Sequence, residues 1–188
     1  MATAVATTTI PPRNRLLVAL GVGAAVAVAL GTYGRAHDPT GRSLVSLFFT
    51  ATINLKVWFA TAAFGLASFQ EVSGLALTGK LGKRTGGKKL SRAHRASGSL
   101  AFLLAVPVAY HCLWALGFKD PVSTRVLIHG LAGCIFFGAL ATKILIVRGK
   151  TMPNLAFILA GGTLFAAITA VWLTSSLWFF TTQDFPGF

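Results

Sequence analysis

Between Leu16 and Phe180 the chain is a succession of apolar runs separated by short polar breaks. The runs cover residues 16–33, 43–78, 94–118, 123–147 and 153–180. All but the first and second lie close to the roughly 20 residues an α-helix needs to cross a bilayer, the first being slightly short and the second long enough to need subdivision. In lipid, backbone N–H and C=O groups find no water, so only helices or a closed barrel satisfy them. The runs are continuous rather than alternating, which argues against a barrel. Composition agrees: 54% of residues are hydrophobic and 11% charged, where a soluble domain carries about 25% charged residues. The expected fold class is therefore all-α, a polytopic membrane protein with five transmembrane helices.

The organisation follows the breaks. Residues 1–15 read as a cytoplasmic tail, 16–182 as one five-helix domain, and 183–188 as an outer tail. Run 16–33 also has the features of a signal peptide, with Gly34-Arg35-Ala36 as a small-x-small cleavage site; we read it as a retained first span. Its pairs of small residues four apart, Gly21 with Ala25 or Gly23 with Ala27, let a second helix approach closely. Run 43–78 is divided by Asn54 and Lys56, which gives an interfacial start and a span at 55–77. The remaining spans are set at 94–118, 123–147 and 153–180, with Pro153 suited to the first turn of the last. Trp172, Trp178, Phe179 and Phe180 suit an aromatic belt at the outer interface.

The net charge of +13 comes from cations gathered between the apolar runs. That pattern points to an anionic membrane surface and away from nucleic acid. The break GKLGKRTGGKKLSRAHR holds seven Lys or Arg and no acid. With the N-terminus inside, twelve cations fall on the cytoplasmic side and four outside, Lys56 lying near the outer end of its span. The expected orientation is N-terminus inside, C-terminus outside, in the plasma membrane.

The candidate chemistry centres on two histidines. His111 lies nine residues before Asp120 and His129 nine after it, in the polar break Lys119-Asp120-Pro121. Folding the chain there sets both imidazoles ~13 Å from the bend. Two neutral imidazoles at equal depth on neighbouring antiparallel helices can ligate the iron of one b-type haem. Gly133, one turn beyond His129, leaves room for a broad ring, Arg125, one turn before it, can pair with a propionate, and Trp114 can wall the pocket. The bland alternative is that the two histidines only hydrogen-bond between helices.

Other polar residues within the spans are His94, Glu71 and Lys143. His94 could serve a second haem, but the inner half holds no further histidine, and Met152 is the nearest alternative axial ligand. It reads instead as an interfacial residue or a headgroup or quinone contact. Glu71 and Lys143 read as a mutual ion pair, with a proton-handling pair beside a quinone as the sharper alternative. His37 reads as solvent-exposed. Cys112 and Cys134 differ in depth by ~9 Å on helices of equal rise, which argues against a disulfide. A copper site from His111, Cys112 and His129 is opposed by the ~100° between adjacent helical residues.

The stretches PVAYHCLWALGF, RVLIHGLAGCIFFGALATK and LAGG…WLTSSLWFF resemble a family of small actinobacterial multi-pass membrane proteins built on a domain of unknown function, over roughly residues 50–182. The histidine pattern also resembles that of transmembrane cytochrome b and ferric-reductase-type haem proteins. Those hold two haems on four histidines, and this chain lacks the fourth intramembrane histidine. Together the readings imply a haem-binding electron-transfer subunit, taking electrons from quinol or a partner subunit to an extracytoplasmic acceptor. It need not be an enzyme alone; it would be the cytochrome b-like subunit of an oxidoreductase complex. The rivals are a cofactor-free anchor subunit and a quinone- or lipid-binding module.

Overall fold

The computed structural model describes residues 11–42, 45–82, 87–118, 123–149 and 152–183. Every regular element among them is helical. Five long helices follow one another: α1 Pro12–Ala36, α2 Thr52–Thr78, α3 Gly87–Leu116, α4 Thr124–Arg148 and α5 Asn154–Thr182. α3 widens into a π-helical turn at His111–Leu116, and α5 at Leu173–Leu177. α1, α3, α4 and α5 are long and apolar enough to cross a membrane. α2, with 27 residues, matches them in length but carries Lys56, Gln70 and Glu71 and falls outside that set.

The helix ends differ from the expected limits for physical reasons. α1 begins at Pro12, because proline in the first turn sacrifices no hydrogen bond. α3 begins at Gly87, seven residues before His94. Lys88, Lys89, Arg92 and Arg95 therefore ride on exposed helix rather than loop, consistent with the good helix propensity of Lys and Arg. α4 starts where Ser123 accepts the Val126 N–H, a side-chain cap. The Lys119-Asp120-Pro121 bend and the outer tail beyond Gln183 lie outside the described residues.

The packing order is a ring. α1 packs on α4, α4 on α5, α5 on α2 and α2 on α3, and the π turn of α3 reaches α1 to close it. α3 and α4, expected as neighbours from their sequence adjacency, share no extensive interface among the described residues. A cavity lies between them instead. Large apolar side chains such as Leu103, Leu131, Ile135 and Leu159 point outward and are exposed. A bilayer is the solvent for which such a surface is suited.

The closest contact in the ring joins α1 to α4. A Cβ on Gly23 would come within 2.6 Å of the Gly138 carbonyl, and one on Gly138 within 2.5 Å of the Gly23 carbonyl. Thr142 Oγ1 donates to the Ala19 carbonyl at 3.1 Å across the same seam. Of the two small-residue pairs in α1, Gly23 with Ala27 is thus the one used: Ala27 Cβ faces Gly138, while Gly21 faces open space. Gly138→Val should destabilise the protein by about 2–3 kcal/mol, the upper range for forced overpacking. Gly21→Ala should be neutral. Thermal unfolding in detergent measures both; equal effects would remove the seam from its structural role.

Candidate functional site

All five helices wall the central cavity, which encloses about 730 Å³ of empty space including its open side. α3 contributes Ala105, Val108, Ala109 and Cys112, a stripe at i, i+3, i+4 and i+7. α4 contributes His129, Gly130, Gly133 and Cys134. Phe136 and Ile168 are buried with Ala63 and Ala167 in a core cluster along one wall. Gly133 has open space where a Cβ would stand.

The cavity continues outward. Ala60, Val108, Cys112, Phe118, His129 and Gly130 line both it and a second pocket, whose wall adds Lys56, Arg125 and Trp178. The result is amphipathic: an apolar interior, one imidazole at the neck, and two cations at the mouth. Arg125 Nη1 donates to the Thr174 carbonyl at 2.6 Å, and its guanidinium carbon lies 3.8 Å from the centre of the Trp178 ring. That stacking fixes a planar cation at the mouth. Both π turns border this outer pocket, through Cys112 and Leu116 on one side and Ser175 and Ser176 on the other. Such turns recur at functional sites.

Hydrogen bonding sets the tautomers. Thr174 Oγ1 donates its proton to the Ala170 carbonyl at 2.6 Å, so toward His129 Nδ1, 3.2 Å away, it accepts. His129 is accordingly protonated on Nδ1, and Nε2 carries the lone pair. His111 Nδ1 donates to the Pro107 carbonyl at 3.0 Å, which sets the same tautomer. This is the arrangement in which a metal-ligating histidine is usually held. The two rings differ in location. His129 lines the cavity and is half-buried, whereas His111, only 2% exposed, is not among the lining residues. Its neighbour Cys112 occupies the cavity face of α3, where it lines the cavity and the adjoining pocket with His129.

Two outer residues sit elsewhere than expected. Trp114 does not wall the cavity; it stacks with Tyr110 and His37. His37 is half-buried rather than solvent-exposed, sandwiched between Tyr33 and Trp114 with Nε2 donating to the Trp114 carbonyl at 3.1 Å. Cys112 and Cys134 are both free thiols. Among the described residues no three His, Cys, Asp or Glu side chains gather as a metal-ion site. From the sequence Lys56 figured only as a polar break near one end of its span, Thr174 had no role, and Cys112 was only a disulfide or copper candidate. The Ala105–Cys112 stripe was the signal available for Cys112; the partnership of Thr174 with His129 had none.

A third pocket, of about 840 Å³ including its open side, has a mixed lining that brings together Gln70, Glu71, His94, Lys143 and Gly161. Here the residues singled out in three separate spans do meet. Ser73 Oγ donates to the Phe69 carbonyl at 2.6 Å and accepts from His94 Nδ1 at 2.8 Å. Gln70 Nε2 donates to the His94 carbonyl and, at 2.7 Å, to Ser97 Oγ. These bonds tie α2 to α3. Glu71 and Lys143 lie within electrostatic reach of each other. Glu71→Gln and Lys143→Met should each lower the melting temperature, and the double variant should lose about 1 kcal/mol less than the sum. Additive losses in thermal melts would mean the two charges are not coupled.

No curated protein and no solved structure matches the chain. A family model described as Family of unknown function (DUF6529) matches residues 16–187. That match takes in all five helices, and the chain belongs to this family of unknown function.

Proposed function

We propose that the protein is a five-span membrane protein, N-terminus inside and C-terminus outside in the plasma membrane, that binds one b-type haem in the central cavity and passes electrons. The observation that carries this reading is the amphipathic cavity with His129 at its neck. A haem has a flat apolar ring and an anionic edge. The apolar interior suits the ring, the clearance at Gly133 admits it, and Lys56 and Arg125 at the mouth suit the propionates. His129, held as the Nδ1–H tautomer by Thr174, is the residue that would ligate the iron. His111 has the matching tautomer but packs outside the cavity, so the residues fit the group on the α4 side and not on the α3 side. When bound, the group would supply one-electron chemistry; the donor is quinol or a partner subunit, and the acceptor lies outside the membrane. α2, whose most apolar stretch falls short of those of the other four helices, spans as the partner of α3 and α5 in the ring. The cation asymmetry of twelve to four supports the orientation.

The full chain, purified in detergent from haem-replete cells, should show the reduced-state bands of a b haem. His129→Ala should remove at least nine-tenths of them, and His94→Ala should leave them intact. Arg125→Ala should keep the haem and shift its potential. A low-spin spectrum lost on His111→Ala would add His111 as the second ligand. Colourless wild-type protein would overturn the reading and favour a cofactor-free anchor subunit.

A further inference from the structure

The inner pocket differs from the central cavity in depth and in chemistry. Glu71 stands seven residues before the end of α2 and Lys143 five before the end of α4. At 1.5 Å per residue they lie ~10 Å and ~8 Å inside the helix ends. A helix of 25 residues such as α4 is ~37 Å long, and overshoots a ~30 Å hydrocarbon core by only ~4 Å at each end. These groups therefore sit within the hydrocarbon layer, below the level of lipid phosphates. A carboxylate among the lining residues also repels an anionic headgroup.

The wall is mixed. Lys143 offers donors, Glu71 offers acceptors, and Leu75, Phe157 and Ile158 supply apolar surface beside them. Gly161 keeps the space before Glu71 open: a Cβ there would meet Glu71 Oε2 at 3.7 Å, an ordinary contact, and anything longer would enter the pocket. A neutral ring whose two oxygens are carbonyls when oxidised and hydroxyls when reduced, on an apolar tail that reaches it through lipid, matches this wall. We propose that the pocket between α2, α4 and α5 binds the head ring of an isoprenoid quinone. Lys143 donates to a ring carbonyl, and Glu71 accepts from the hydroxyl of the reduced form. His94, tied by Nδ1 to Ser73, borders the ring without being free to turn.

This inference rests on the membrane placement and not on the haem, since it uses other residues and another readout. The probe is an azido-benzoquinone with a short isoprenoid tail, photolysed with the full chain in lipid nanodiscs and mapped by peptide mass spectrometry. Label should fall on the α2 segment around Glu71 and on α5 near Phe157, and excess unlabelled quinone should suppress it. Gly161→Leu, which fills the pocket and keeps every charge, should cut the label at least five-fold while leaving any haem spectrum unchanged. Lys143→Met should also reduce it, and a melting curve identifies a variant that fails to fold. Label confined to other helices, label unchanged by Gly161→Leu in folded protein, or label displaced by phospholipid and not by quinone would overturn the proposal.

Discussion

The ring of helices depends on backbone-to-backbone contact between α1 and α4. Gly23 and Gly138 each set a carbonyl against the place where the other's Cβ would stand, and the Thr142 hydroxyl fills the space before Gly23 and hydrogen-bonds to the Ala19 carbonyl across the same seam. Lipid tails are as apolar as leucine, so helices in a bilayer gain little from burying apolar surface and depend on close packing and on polar contacts. The seam offers both. It holds α1 upright against α4, so that Leu30 reaches the central cavity and the outer end of α1 reaches the π turn of α3. α3 and α4 can then stand apart around a cavity instead of collapsing on each other.

The second constraint is the accounting of backbone polar groups. A π turn displaces carbonyls from their ordinary partners, and in lipid each must find another. On α3 the segment after α1 does this work: Thr40 N–H and His37 Nε2 donate to the Trp114 carbonyl, and Gly41 N–H to the Ala115 carbonyl. Gly117, at φ 58°, turns the chain so that Phe118 N–H reaches the Gly34 carbonyl at 2.7 Å. On α5 the Thr174 carbonyl is met by Arg125, while the Ser176 hydroxyl donates to the Val57 carbonyl and so ties the turn to α2. The same bonds that make the π turns tolerable also position the outer mouth. Thr174 shows the economy: its carbonyl holds Arg125 and its hydroxyl sets the tautomer of His129.

The helical class was legible because a spanning helix writes itself as length and apolarity, and those are local. Helix neighbours were not, because short connections suggest adjacency without dictating it; α3 and α4 are consecutive yet separated by the cavity. His129, Gly133 and Arg125 were legible as one face of one helix. His111 was placed by depth alone. Depth does not determine rotation, and the stripe from Ala105 to Cys112 puts the cysteine, one residue on, toward the cavity. The inner cluster was legible for the opposite reason. Glu71, His94 and Lys143 are costly in lipid, and residues costly in the same layer are driven to share one pocket.

The central claim is that the cavity between α3 and α4 exists to hold a flat group against His129. The haem-to-protein ratio of the purified chain and of Gly133→Phe, read as the pyridine complex after extraction, tests it most directly. Gly133 lines the cavity with open space where a Cβ would stand, so a phenylalanine there directs its ring into the slot. The account predicts a ratio near one for the natural chain and below about a tenth for the variant, with both folded. A natural chain without haem, or a variant that keeps its full complement, would contradict it.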